Sequence, residues 1–461
     1  KDGKKGLSML ARGEYNFGTT QSPKPLDKLI SLIKSRAASG KNNPDIYYVG
    51  GTDTAVFGLT AGGTAFVSGN TMQKSNYTDL DSYSSTATRL TRRTKVKGSE
   101  STPGYMSFSG GMHKGIKRKN ITEITKEIFV TSDWQTGSPT AIASMWFRGM
   151  MNAVLKDQKT IILNGDLIQG QNYGRAVAEM QLTGLVGIED QLMFISHLFE
   201  PILDAIEEKK KNTPDWDPPE IIIIVGNHET NSQSNKGGQG TWFLGQLFRE
   251  IRSRYRGLDK KYTDYVKYPR KYDSKEGIPV DYSHYVINDK ETGFNLGFQH
   301  YVGAGAKGST VTPPIHGPQA WAKAMEANMK DIHFLTYGHW HTQSIVQSNG
   351  IISSILGASA GQSGFEHHLG YPDGVPSCGV IKLHSHKPPE IFIETLPYLE
   401  LQEENLKNGL SVYKDIIEKF GSLDDYIEYV RANIQSRNDG NPYSYPRKHH
   451  EEFTDSHTLT S

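Results

Sequence analysis

Cysteine is nearly absent: Cys378 stands alone in 461 residues, so the chain can form no internal disulfide and no cysteine-based metal cluster. One buried thiol suits a reducing compartment, and a cytoplasmic location is the expectation. Any metal must therefore sit on His, Asp, Asn or Gln. Long apolar runs are scarce as well. The longest, from Ile221 to Val225, falls far short of the ~20 residues that cross a bilayer, so no membrane contact is expected. Charge of one sign is also missing: 51 Lys and Arg oppose 50 Asp and Glu, which removes any whole-molecule attraction to nucleic acid and leaves only local patches to consider. The chain begins at Lys1 rather than Met, which is compatible with a leader having been removed.

What is present changes texture along the chain. The length suits one large α/β domain with extensions. Residues 1–120 are rich in Gly, Ser, Thr and Lys, with a helix candidate from Leu26 to Ala38 and short strands from Ile46 to Val67. Such a composition buries little apolar surface, so this region reads as a loosely packed N-terminal extension, with docking of a protein partner as the sharper alternative. The basic run from Arg89 to Lys97 reads as a solvated face. From Lys126 onward come five apolar runs that stop at polar residues: IFVTSD, TIILNGD, IIIIVGN, FNLGFQH and IHFLTYGH. These suit buried strands, with helices from Ala141 to Lys156 and Leu192 to Lys210 as covering layers. Further strands at 351–355, 380–384 and 390–394 form a second sheet facing the first. The expected fold is α/β, with two facing mixed β-sheets flanked by helices. The main domain covers residues 121–400 with an insertion at 231–283. Residues 401–461 supply C-terminal helices, Val412 to Phe420 and Leu423 to Ile434, and a polar tail from Ser436.

Ligands in open α/β sheets gather beyond the carboxyl ends of strands. The five endings are Asp133-Trp134-Gln135, Gly165-Asp166, Gly226-Asn227-His228-Glu229, His300 and Gly338-His339-Trp340-His341. In this order the sequence resembles the calcineurin-like metallophosphoesterase superfamily, whose signatures are DxH, GDxx, GNHD or GNHE, a lone His after a strand, and GHxH. The resemblance spans roughly Lys126 to Leu399, with four of five signatures intact. It implies one metal held by Asp133, Gln135, Asp166 and His341, and a second by Asp166, Asn227, His300 and His339, with Asp166 bridging. A carboxylate has two oxygens for two cations, and imidazole with amide oxygen suits first-row metals. Two formal negative charges against two dications leave a positive surplus for an anionic phosphate. By the same resemblance a hydroxide between the metals attacks phosphorus in line, with Asp166 and Asn227 in the catalytic centre. His228, assigned no metal, is the general acid for the leaving oxygen. Glycines 165, 226 and 338 are expected to let the backbone turn as each strand delivers its ligand.

The departure is Gln135 where the family carries His. An amide oxygen is harder than imidazole nitrogen, which biases the expected pair of divalent ions toward Mn²⁺, with Mg²⁺, Fe or Zn²⁺ as alternatives. A degenerate, inactive site is the opposing reading. Single polar residues at strand ends commonly cap turns, and His284, His316, His333, His367 and His368 read as structural or surface residues. His284 rivals His300 for the lone ligand, but His300 closes an apolar run.

The insertion interleaves basic and aromatic residues from Arg249 to Tyr272, and Arg252, Arg254, Arg256, Lys260, Lys261 and Tyr255 are the candidate substrate-binding residues. Basic groups neutralise phosphates and rings stack on unpaired bases, which makes nucleic acid the expected substrate and the nuclease branch that includes Mre11 and SbcD the expected relative. An amphipathic helix with a charged face, plus a Tyr-rich loop packing on the core, is the plainer reading of the same stretch. GDLIQG lacks the GDxVDRG extension of the protein phosphatases, which argues against phosphoproteins. A phosphomonoesterase or small-molecule phosphodiesterase, and a non-catalytic assembly subunit with a vestigial site, remain alternatives. A homodimer is compatible with the sequence.

Overall fold

The computed structural model describes residues 9–12, 46–49, 55–59, 65–68, 87–91, 105–109, 125–170, 179–231, 239–268, 270–272, 279–281, 284–300, 332–341, 343–348, 351–356, 358–364, 375–385 and 389–438. Strands β1 (Met9–Arg12), β2 (Ile46–Val49), β3 (Ala55–Leu59), β4 (Ala65–Ser68), β5 (Ala87–Thr91) and β6 (Tyr105–Ser109) precede β7 (Thr125–Thr131). Next come α1 (Ala143–Leu155), β8 (Thr160–Asn164), α2 (Ile188–Asn212), β9 (Glu220–Ile224), α3 (Asn227–Asn231) and α4 (Gln239–Leu258). After β10 (Val266–Lys267), β11 (Arg270–Tyr272), β12 (Pro279–Asp281) and β13 (His284–Asn288) follow β14 (Asn295–Gln299), β15 (Phe334–Tyr337), β16 (Gln343–Ser348) and β17 (Ile351–Leu356). The chain continues with β18 (Ser377–His384), β19 (Glu390–Thr395), α5 (Leu396–Lys407), α6 (Ser411–Phe420) and α7 (Leu423–Asn438).

Two large mixed sheets result. One runs β10-β9-β8-β7-β18-β19-β6-β5, the other β1-β2-β4-β3-β16-β17-β15-β14-β13. Strands β7, β8 and β9 are parallel neighbours, which requires crossovers, and α1 and α2 supply them. Their inner runs, 128–130, 161–163 and 221–224, are apolar because both faces are buried. Phe129, Ile161, Leu163, Ile221 and Ile223 pack with the helices. The alternating Ile128, Val130, Ile162, Ile222 and Ile224 share a second core with Leu296, Phe298, Phe334, Ile345 and Ile352 of the other sheet. Helix, sheet and sheet are thus stacked in layers, and C-terminal residues such as Leu406, Tyr413, Leu423 and Ile427 join the helix-side core. No described helix is long and apolar enough to cross a membrane.

The strands are shared out differently from the expectation. β17 joins β14 and β15, whereas β18 and β19 extend the sheet of β7. Hydrophobic pattern marks a strand but not its partner, and hydrogen-bond pairing decides the sheet. The N-terminal region is not a loose arm where it is described. β3 pairs with β16, and β6 with β19, so strands from residues 1–120 extend both sheets. The Leu26 to Ala38 helix and most of the basic run lie outside the described residues.

Candidate metal centre

β7 and β8 end side by side, and their pairing continues beyond the strands. The backbone N–H groups of Asp133, Gln135 and Thr136 donate to the carbonyls of Gly165, Asp166 and Leu167 at 3.0, 3.0 and 3.2 Å. In this ribbon Trp134 turns into the helix-side core, stacking on Trp146 with centroids 4.0 Å apart. Its indole N–H donates to Thr131 Oγ1 at 2.8 Å. An anchored residue 134 sends its neighbours, Asp133 and Gln135, the other way.

Six described non-glycine residues have positive φ, and five of them are Asp133, Gln135, Asp166, His339 and His341, between 49° and 73°. Left-handed backbone is costly for side-chain-bearing residues and persists where the surrounding structure over-determines it, characteristically at functional sites. Gly165 is left-handed as well, at φ 80°, and a Cβ there would lie 2.5 Å from the His300 ring. Gly226 meets a different demand from the expected turn, because its φ is not positive. A Cβ on it would fall 2.1 Å from Asp166 Oδ1, so it is close approach that excludes a side chain. Gly338 likewise lacks a positive φ.

The polar atoms converge. Ligand atoms of Asp166, His300 and His339 all lie within 4.8 Å of one another. His300 Nε2 is 3.0 Å from Asp166 Oδ2 and 3.2 Å from Asn227 Oδ1. On the other side, His341 Nε2 is 3.3 Å from Asp133 Oδ1. Gln135 Nε2 is 3.3 Å from Asp166 Oδ2 and 3.4 Å from His341 Nε2. Surrounding groups fix these side chains. His300 Nδ1 meets the Asn164 carbonyl at 2.6 Å, which leaves Nε2 facing the carboxylates. The His339 N–H donates to both Asp133 oxygens at 3.0 Å. All seven expected ligands, from five separate segments, therefore share one neighbourhood around Asp166.

The electrostatics show what the cluster demands. Burial works to raise the Asp166 carboxyl, but the imidazoles of His300 and His228 outweigh it and hold the group well below the usual carboxylate range. Burial disfavours a charged His300, yet Asp166 and Asp133 push it up to about 9. His339 is pushed down to about 4, by burial and then by His300. The carboxylates thus call for positive charge where the ligand atoms meet. Gln135 Oε1 is buried without a hydrogen-bond partner, and an orphaned amide oxygen beside two carboxylates and three imidazoles fits a divalent cation.

His228 stands apart from the ligand atoms but next to them. Its Nδ1 meets the Gln169 carbonyl at 2.7 Å and its Nε2 lies 3.8 Å from Asp166 Oδ2, while its own N–H donates to Asp166 Oδ1 at 2.8 Å. The first contact leaves Nε2 on the side of Asp166. One residue was missed at the sequence level. Glu229 is fully buried and accepts N–H bonds from Gly226, Asp166, Leu167 and Ile168. Burial, then the charge of Asp166, pushes its carboxyl up to about 7. Its place in GNHE was the available signal.

The candidate substrate residues fare differently. Tyr255 is fully buried and its hydroxyl donates to the Pro219 carbonyl at 2.9 Å, so it is a core residue and stacks on no base. Arg254 is spent on Asp204 and Glu207 of α2. Arg252 donates to the Thr263 carbonyl at 3.2 Å and lies over the Phe248 ring. Lys261 sits 4.6 Å above the Tyr262 ring and 3.7 Å from Asp217. Arg256 and Lys260 are exposed. The basic and aromatic residues are divided between the end of the amphipathic helix α4 and a following 3-10 turn, Lys260–Tyr265, with the rings of Tyr255 and Tyr262 buried. His333 accepts from the Asn295 N–H at 2.9 Å, the structural role expected of it. His316, His367, His368 and the His284 side chain lie outside the described residues.

No family model matches the sequence, and no curated protein matches it. Among solved structures it aligns with Vacuolar Protein Sorting 29 from Cryptosporidium parvum at 11% identity, covering 59% of this chain and 92% of that one, with a TM-score of 0.29. A conserved Streptococcus pneumoniae protein described as a predicted phosphoesterase aligns at 10% identity over 56% and 84%, TM-score 0.25. The NAD nucleotidase of Haemophilus influenzae aligns at 12% identity over 69% and 61%, TM-score 0.28. Scores of this size leave the assignment to the geometry of the site itself.

Proposed function

We propose that this protein is a metal-dependent phosphoester hydrolase of the calcineurin-like kind. The observation that carries the reading is the convergence of two carboxylates, three imidazoles and two amides from five chain segments around Asp166. Asp133, Gln135, Asp166 and His341 would hold one divalent cation, and Asp166, Asn227, His300 and His339 the other. Such a pair, when bound, activates water near neutral pH and withdraws charge from phosphoryl oxygens. The chain's own part is to fix these donors, keep the site largely enclosed, and present His228. Its Nε2 delivers the proton that the leaving oxygen requires, while the Gln169 carbonyl holds the ring in place.

The reading commits to the phosphoester bond and not to a polymer, because Tyr255 and Arg254, two of the residues that suggested nucleic acid, are engaged within the fold. The test is hydrolysis of bis(p-nitrophenyl) phosphate and p-nitrophenyl phosphate with Mn²⁺, Mg²⁺ or Zn²⁺, followed by DNA and RNA. Hydrolysis that EDTA abolishes and added Mn²⁺ restores is expected. Inactivity toward every ester with all three ions would leave the vestigial assembly subunit in its place.

A further inference from the structure

Glu229 is fully buried, and its carboxylate joins two of the strand ends that build the cluster. One oxygen, Oε2, accepts from Gly226 N at 2.8 Å and from Asp166 N at 3.1 Å. The other, Oε1, accepts from Leu167 N at 2.7 Å and Ile168 N at 3.3 Å. Three successive N–H groups at 166, 167 and 168 form a concavity of the kind that binds anions, and Glu229 fills it from within the chain. The clamp is reciprocal. Glu229 holds the backbone of Asp166 while the N–H of His228, the residue before it, donates to the Asp166 carboxylate at 2.8 Å.

We propose that Glu229 is the positioning residue of the centre, holding Asp166 in its left-handed conformation so that the bridging carboxylate points at both sets of ligands. The inference rests on the metal-centre reading. A fully buried carboxylate with four backbone donors exceeds what a helix cap of a five-residue helix needs, and three of those donors belong to another strand's end. Partners behind metal ligands typically change metal affinity by about 10- to 100-fold when removed.

Glu229→Gln tests this without changing shape, because it turns one acceptor oxygen into an NH2 group that faces two N–H donors. Mn²⁺ affinity is read by isothermal titration calorimetry on the full chain, beside thermal melting. As a control, Ile202→Val on α2 loses a methyl group in the core. The expected result is a dissociation constant about 10- to 100-fold higher in E229Q, with the control unchanged at a comparable loss of Tm. Glu229→Asp keeps the charge but is one methylene short, and it should also weaken binding; it carries the test if E229Q does not fold. Wild-type affinity in the Gln or Asp variant, or a loss no larger than that of I202V, overturns the proposal alone. A wild-type chain that binds no Mn²⁺ overturns the metal reading and this inference together.

Discussion

At the scale of single residues, the proposed division of labour between His228 and the cluster around Asp166 is the sharpest feature. His228 is tied to Gln169 and to the backbone turn of α3, so its loss should not open the cluster around Asp166. His228→Ala is therefore expected to bind Mn²⁺ like the wild type in calorimetry. Its kcat should fall by about 10²- to 10⁴-fold on alkyl phosphodiesters, whose leaving group needs a proton. The loss on p-nitrophenyl esters, whose leaving group departs unprotonated, should be much smaller. Equal losses on both would assign His228 to metal binding or folding instead. Gly226 makes a complementary case. Because a Cβ there would meet Asp166 Oδ1 and Asp166 N at 2.1 and 2.3 Å, Gly226→Ala must displace the carboxylate or the backbone. Mn²⁺ affinity should drop by about tenfold or more, measured in the same titration.

At the scale of elements, much of the architecture could be read directly from residue order. The runs ending at Asp133, Asp166, Asn227, His300 and His339 are strands followed by the polar residues of the cluster, because buried parallel strands are apolar on both faces and ligand sites gather where they stop. The residues that escaped notice did so for physical reasons. Glu229 acts through backbone N–H groups of a segment more than sixty positions away, and backbone donors carry no signature in residue type. Tyr255 misled because a ring at helical spacing looks the same whether it faces solvent or core; only its burial in the helix-side core and its bond to the Pro219 carbonyl distinguish them. Sheet membership of β17, β18 and β19 depends on pairing partners and not on pattern. The ion pair between Lys126, at the start of β7, and Asp289, ahead of β14, ties the two sheets at 2.7 Å, and Asp289 also accepts from the Thr292 N–H at 3.0 Å. Burial opposes the charge on Asp289, but the bonds from Lys126 and Thr292 win and lower its pKa. A lowered carboxyl contributes stability that is complete above the unfolded value and is lost as pH falls through the folded one. Asp289→Asn should thus lower the urea midpoint clearly at pH 7 and by less at pH 3, below the ordinary carboxylate value. An equal drop at both would mean that packing, not charge, holds this corner.

At the scale of the whole molecule, the strands of residues 1–120 change what the minimal folded unit is. β3 covers one side of β16, and β6 covers one side of β19. Deleting residues 1–120 would bare a strand edge on each large sheet, and exposed edges invite pairing between copies. The shortened chain is expected to sediment as aggregates where the full chain does not. A monodisperse shortened chain with wild-type Mn²⁺ affinity would return the N-terminal region to the role of an appendage.

The left-handed backbone at Gln135, His339 and His341 has an evolutionary corollary. These are positions where glycine would rest without strain and where the working side chain is the less comfortable occupant. Variation screened for heat resistance alone should favour glycine there, while variation screened for turnover keeps the bulkier residues. If the proposed hydrolysis is the chain's work, a lineage that gave it up but kept its shape would show relaxation first at these three positions, well before the apolar strands behind them changed.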